Sequence, residues 1–305
     1  MEGVVDAVMR DLLTRIGGID LCVSEFIRVT DRPLPDGEFI KYCPELLLKN
    51  KGRTPAGVPV LVQLLGGVPS SLAENAARAV ALGAPGIDLN FGCPAKTVNR
   101  HDGGATLLKN PHRIFDVVSA VRKAVPAEIS VSAKVRLGFD HKNFHLEIAR
   151  AAEEANASWL TVHARTRDEG YKPPAHWEYI GLMRENVQIP VIANGEVWSV
   201  EDYHRCRSVS GCEHVMVGRG LIAQPALARQ IKAQAGENPS WRELSAWVQE
   251  FAEMSHSHRN EHYAVCRVKQ WLRSIARNSA EAASVFSEIK TFEQLAPILG
   301  AIACP

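Results

Sequence analysis

Nearly continuous apolar stretches recur along the chain, at 21–26, 58–65, 86–91, 129–137, 159–163, 190–194 and 214–217. Strands buried on both faces of a parallel sheet read this way, because helices cover the two sides. Amphipathic segments lie before and between them, at 4–16, 70–82, 111–125, 144–155, 177–185, 200–207 and 221–230. The alternation predicts βαβ units. Seven strands are visible, and a closed eight-stranded barrel takes one more. The first amphipathic segment has no strand before it. The pattern therefore predicts either an open sheet or a barrel whose first strand is missing from the sequence as given.

After about residue 234 the pattern changes. The stretch 236–240, Gly-Glu-Asn-Pro-Ser, is rich in turn formers. Segments 241–256, 261–277, 280–289 and 291–301 then read as short helices without strand signal. The expected organisation is an α/β chain. A (β/α)8 TIM-type barrel covers 1–235, and an all-helical domain covers 236–305.

Composition narrows the class. The chain has 305 residues, 46% of them hydrophobic, enough for one large core or a core with a small appendage. A formal charge of +1 excludes a global basic field but leaves room for a local patch. Seven cysteines without a C-x-x-C pair read as reduced thiols in a cytoplasmic protein. No apolar run reaches bilayer length, and no signal-peptide pattern opens the chain, so no membrane partner is expected. Nothing indicates an obligate protein partner, and a monomer is expected.

Polar residues stand at the strand ends, in an apolar context. They are Glu25 with Arg28, Gln63, Asn90 with Cys93, Lys134 with Arg136, His163 with Arg165, Asn194-Gly195-Glu196 and Gly218-Arg219-Gly220. In a barrel these converge on the rim that carries the chemistry. The last two groups have the glycines of a phosphate-binding turn, or of two ordinary βα turns. Lys134 needs an acceptor: a flavin ring, which gains negative charge on reduction, or a salt bridge to Glu25 or Asp88. His163 either donates to a ligand or caps its strand. Cys93, between Gly92 and Pro94, fits a general acid, a nucleophile with a base beside it, or an inert buried thiol. On the segment 261–277, His262, Lys269, Arg273 and Arg277 form a basic stripe with Arg267 near it. That stripe is either a solvated face or a footprint for an RNA backbone.

With these residues in view, the chain resembles the FMN-dependent tRNA-dihydrouridine synthase family. It is most similar to the bacterial subfamily that reduces uridine 16 of the tRNA D-loop. The similarity runs over essentially the whole chain. It is carried by Cys22-Val23-Ser24-Glu25-Phe26-Ile27-Arg28, Val62-Gln63-Leu64-Leu65-Gly66, Asp88-Leu89-Asn90-Phe91-Gly92-Cys93-Pro94, Lys134-Val135-Arg136, Val162-His163-Ala164-Arg165, Ile192-Ala193-Asn194-Gly195-Glu196 and Val217-Gly218-Arg219-Gly220. The stretch Arg267-Val268-Lys269-Gln270-Trp271-Leu272 resembles the subfamily's recognition helix.

The resemblance implies that NADPH reduces FMN, that FMN delivers hydride to C6 of the uracil, and that Cys93 gives the proton at C5. It further implies FMN contacts at Met1, Glu2, Gln63, Lys134, His163, Asn194, Gly195, Glu196, Gly218 and Arg219. It implies tRNA contacts at Arg28, Asn90, Tyr171, Arg267, Lys269 and Ser274. Three positions depart from the family pattern. The sequence starts where the first strand ends, Ala164 stands where Gly is usual, and Arg100-His101-Asp102 replaces a smaller stretch. The alternatives are a flavin-dependent reductase of a free small molecule and a truncated, non-catalytic RNA-binding relative.

Overall fold

The structure is a computed structural model that describes residues 2–47, 51–233 and 238–303. In chain order, helix α1 (Ala7–Ile16) precedes strands β1 (Cys22–Val23) and β2 (Ile27–Arg28). Then follow α2 (Asp36–Tyr42), β3 (Val60–Leu65), α3 (Pro69–Ala81), β4 (Gly86–Asn90), α4 (Lys96–Arg100), α5 (His112–Ala124), β5 (Ser130–Arg136) and α6 (His145–Glu154). The alternation continues through β6 (Leu160–His163), α7 (Trp177–Glu185), β7 (Val191–Asn194), α8 (Val200–Ser210) and β8 (His214–Met216) to α9 (Arg219–Ala223) and α10 (Leu227–Ala233). Four helices close the described chain: α11 (Trp241–His258), α12 (Glu261–Ile275), α13 (Ala280–Ile289) and α14 (Leu295–Ala303).

Every strand pair is parallel, in the order β1-β3-β4-β5-β6-β7-β8, with β2 also on β3. The result is a curled TIM-type sheet, open between β8 and β1 among the described residues. The apolar run at 21–26 is not one strand. Cys22 pairs with Val60 and Ile27 with Leu64, so five steps on one strand match four on the other. One extra residue is a bulge. It falls at Ser24-Glu25, where the Ser24 hydroxyl accepts the backbone N–H of Gln63 at 3.0 Å. The helix expected at 221–230 is likewise two pieces, because Pro225 cannot continue it.

Two apolar cores result. One fills the space between the sheet and its flanking helices, centred on residues such as Val62, Leu89, Val135 and Val162. The other gathers Val248, Phe251, Val268, Trp271, Val285 and Ile298 from the last four helices. To these it adds Val8, Met9, Leu12 and Leu13 of α1 and Ile222 of α9. The expected boundary at 235/236 lies outside the described residues, and the second core crosses it: α1 packs with the C-terminal helices. Trp271 Nε1 donates to the Ile222 carbonyl at 3.0 Å and ties α12 to α9. On its other side α1 is held by Arg10, whose Nε and Nη2 donate to the two carboxylate oxygens of buried Glu45 at 2.7 and 2.8 Å. No helix among the described residues is long and apolar enough to cross a membrane.

Candidate active site

The N–H groups of the Cys93 turn are gathered by one side chain. Asn90, the last residue of β4, accepts the backbone N–H groups of Gly92 and Cys93 on its Oδ1, both at 3.0 Å. Its Nδ2 donates to Gln63 Oε1 at 2.8 Å. Gln63 Nε2 in turn donates to Asp88 Oδ2 at 2.6 Å, and Ser132 Oγ donates to Asp88 Oδ1 at 2.6 Å. Beyond the turn, Asn99 Nδ2 reaches the carbonyls of Cys93 and Gly103, each at 3.0 Å. The Cys93 thiol is half-buried, and burial pushes its pKa up; Glu2 adds to the rise, while the Ala95 N–H and Arg136 oppose it. A thiol so placed stays protonated near neutral pH, which suits a proton donor and not a nucleophile.

The other strand ends meet it on the same rim. Lys134 Nζ donates to Asn194 Oδ1 at 3.0 Å, and not to Glu25 or Asp88. Burial and the nearby Arg136 push Lys134 down to about 8. His163 is buried and held neutral, first by burial and then by Arg136, Lys134, Arg165 and Arg219. Gly195 sits at φ +118°, and a Cβ there would come within 2.9 Å of His163 Cδ2. Glycine is therefore required by both the backbone and the ring. Arg136 Nε donates to the Gly92 carbonyl at 2.8 Å, and its Nη1 to the carbonyls of Thr166 and Gly170 at 2.9 Å. Arg165 is fully buried, paired with Glu196 and donating to the Lys172 carbonyl at 2.6 Å. Its Nη1 has no partner among the described residues.

Across the rim runs a ladder of cations and rings. The Arg136 guanidinium lies 5.2 Å from the Tyr171 ring, Arg219 lies 4.5 Å from Tyr171 and 5.2 Å from Trp198, and Arg277 lies 5.2 Å from Trp198. Tyr171 is 53% exposed at its centre.

Comparison with known proteins fits this arrangement. The family model for dihydrouridine synthases matches residues 1–298. The chain belongs to the dihydrouridine synthase family. It is 53% identical to the tRNA-dihydrouridine(16) synthase of Aquipseudomonas alcaligenes, over 95% of this chain and 93% of that one. It is 50% identical to the protein of the same name from Shewanella oneidensis, over 98% and 95% of the two chains. A variant of NCR from Zymomonas mobilis shares the fold, with a TM-score of 0.53 over 80% of this chain and 85% of that one at 15% identity.

Not every residue singled out in this dihydrouridine synthase lies on the rim in the same way. Met1 is outside the described residues, and Glu2 is exposed. Arg28 is exposed and lines a cleft of about 240 Å³ beside Gly66, Gly67, His101 and Asp102. Ser274 is half-buried and donates to the Gln270 carbonyl. Lys269 donates to the carbonyls of Lys290 and Phe292. Arg267 is 6% exposed: Nη1 and Nη2 donate to the Gly3 and Val4 carbonyls, and Nε pairs with Asp6 at 3.0 Å. The guanidinium expected to meet tRNA is turned inward, onto the segment that leads into α1.

Two residues were not singled out as functional from the sequence. Asp88 gave a signal, a carboxylate inside an apolar strand, which only suggested a lysine partner. Trp198 gave none.

Proposed function

We propose that this dihydrouridine synthase reduces a D-loop uridine of tRNA, at position 16, to 5,6-dihydrouridine in the cytoplasm, as a monomer with bound FMN and NADPH as reductant. The names and roughly half-identical sequences of its relatives support the tRNA substrate. The observation that carries the chemistry is a neutral thiol, Cys93, held on the strand-end rim by Asn90.

The rim residues fit a flavin phosphate and ring. The unpartnered Nη1 of buried Arg165 is a donor without an acceptor. Gly195 offers backbone where any side chain would collide with His163. The residues that would hold FMN are Gln63, Lys134, His163, Asn194, Gly195, Glu196, Gly218 and Arg219, with Met1 and Glu2 beside the ring. When bound, FMN supplies the hydride that adds at C6 of the uracil, having received it from NADPH.

The chain's own residues do the rest. Cys93 holds the proton that goes to C5. Lys134, with its lowered pKa, is a donor that can release or keep its proton near working pH. His163, neutral, can donate one N–H without adding charge. The uridine must leave its stack to enter the rim, and exposed Tyr171 offers a face for a base to rest on. Arg28, Asn90, Lys269 and Ser274 complete the tRNA contacts, and Arg267 acts by docking α12 onto residues 3–6.

Cys93→Ala tests this. The variant is expected to keep its flavin colour and lose about 10²–10⁴-fold in turnover on tRNA. Full turnover by the variant would overturn the role. Mapping dihydrouridine in tRNA from a deletion strain, with and without this chain, tests the position.

A further inference from the structure

We infer that Asp88 is a positioning residue for Cys93: it fixes the direction of a hydrogen-bond chain that runs through Gln63 and Asn90 to the backbone of the cysteine turn. It rests on the proton-donor role proposed above.

The strand register brings the chain together. Gln63 stands opposite Asp88 across β3 and β4, and Asp88 stands opposite Ser132 across β4 and β5. Asn90 lies two residues beyond Asp88, hence on the same face. The links are short: Gln63 to Asp88 at 2.6 Å, Asn90 to Gln63 at 2.8 Å, and Gly92 and Cys93 to Asn90 at 3.0 Å.

Both ends of the chain are one-way. A carboxylate oxygen can only accept, and a backbone N–H can only donate. Between them lie two amides, each with one accepting oxygen and one donating nitrogen. Only one orientation satisfies every link. Turning either amide over sets oxygen against oxygen or N–H against N–H. Asp88 is 1% exposed and Gln63 is 5% exposed, so water cannot make good the loss. Without an acceptor at 88, Gln63 is free to turn, Asn90 can follow it, and the turn loses the oxygen that holds two of its N–H groups.

The chain needs an acceptor at 88, not a charge. Asp88→Asn can keep its oxygen toward Gln63 and turn its nitrogen toward Ser132 Oγ, whose hydroxyl then turns to the Ile87 carbonyl, 3.4 Å away. Asp88→Leu cannot. Gln63→Glu alone sets two carboxylates against each other, whereas Gln63→Glu with Asp88→Asn restores a donor facing an acceptor and leaves the Asn90 link intact.

The experiment measures iodoacetamide alkylation at half-buried Cys93, followed by peptide mass because Cys266 is exposed. It also measures kcat and KM on tRNA for the holoenzyme, with Cys93→Ala in parallel. Asp88→Leu is expected to alkylate several-fold faster and to lose up to about 10²-fold in kcat, a larger change than in tRNA KM. Asp88→Asn is expected to match the wild type. Gln63→Glu should alkylate faster, and adding Asp88→Asn should slow it again, both compared at equal FMN occupancy because Gln63 would also hold the flavin. That pair decides the matter if Asp88→Leu does not fold. A wild-type alkylation rate in Asp88→Leu, an Asp88→Asn as impaired as Asp88→Leu, or a failed rescue of Gln63→Glu would each overturn the inference. Full turnover by Cys93→Ala would instead remove the proton-donor role on which it rests.

Discussion

The Cys93 turn and helix α12 are both polar segments laid over an apolar core, and they were not equally readable. At the turn, strand register brings the polar side chains within reach of one another. Register sets Gln63 beside Asp88 and Asp88 beside Ser132, and Asn90 falls on the same face two residues on. On α12, helical spacing separates a polar stripe from the apolar one of Val265, Val268, Leu272 and Ile275, and all four apolar residues are buried as the spacing requires. It does not say what the long basic side chains reach. Arg267 folds back onto residues 3–6 and Lys269 onto the end of α13 and the residues after it, while Arg273 and Arg277 stay exposed. A polar stripe locates a face. The partner of a long cation is set by chain far away in sequence.

The contrast can be broken most sharply at the turn. Beyond the loss expected of Cys93→Ala, the pH dependence of a turnover limited by proton donation has a definite sign. With its pKa raised, the thiol stays protonated through neutrality, so the rate should hold level there and fall as pH rises past the ordinary thiol range. A rate that instead climbs with pH through that range would mark a nucleophile.

On α12 the expected effects are smaller and differ in kind from residue to residue. Arg267→Ala removes a buried cation and leaves the Gly3 and Val4 carbonyls and Asp6 without its N–H groups, which should lower unfolding stability by about 3 kcal/mol in urea titrations. The slope of tRNA affinity against salt should stay put. Arg277→Ala should do the reverse, leaving stability within ~0.5 kcal/mol and reducing the salt slope by about 1 if it meets a phosphate. Equal behaviour of the two variants would erase the distinction.

The smallest effect lies just past the turn. Arg113 donates to both oxygens of Asp102 and holds that carboxyl below its usual range. A depressed folded pKa gives stability that is present above the unfolded value and lost as pH falls through the folded one. The pair is largely exposed, so Asp102→Asn should cost ~0.5 kcal/mol or less near neutral pH and nothing in strong acid, read from thermal melts.

The fold was legible where elements are long. Helix α7 matches the apolar periodicity at both ends, and β4 ends one residue short of the run that predicts it. It was illegible where one residue overrides the pattern. The bulge at Ser24-Glu25 splits a run that reads as continuous, and Pro225 cuts a helix that periodicity extends. Helices α2 and α4 are too short for a period to show. At the site, the strand-end rule gathered the right residues onto one rim, but spacing could not reveal which of them hold one another.

The sharing of one core by α1 and the last four helices also sets an order of events during synthesis. Val8, Met9, Leu12 and Leu13 leave the ribosome before the sheet, while Val248, Phe251, Trp271 and Ile298 come after it. Until those arrive, the greasy stripe of α1 has no permanent cover. The sheet between them can assemble first, since its strands pair in sequence order from β3 to β8. The nascent chain therefore carries an adhesive patch while the whole sheet is made, the kind of surface that chaperones hold and that aggregation exploits. Any stop codon upstream of α11 would leave that patch uncovered for good.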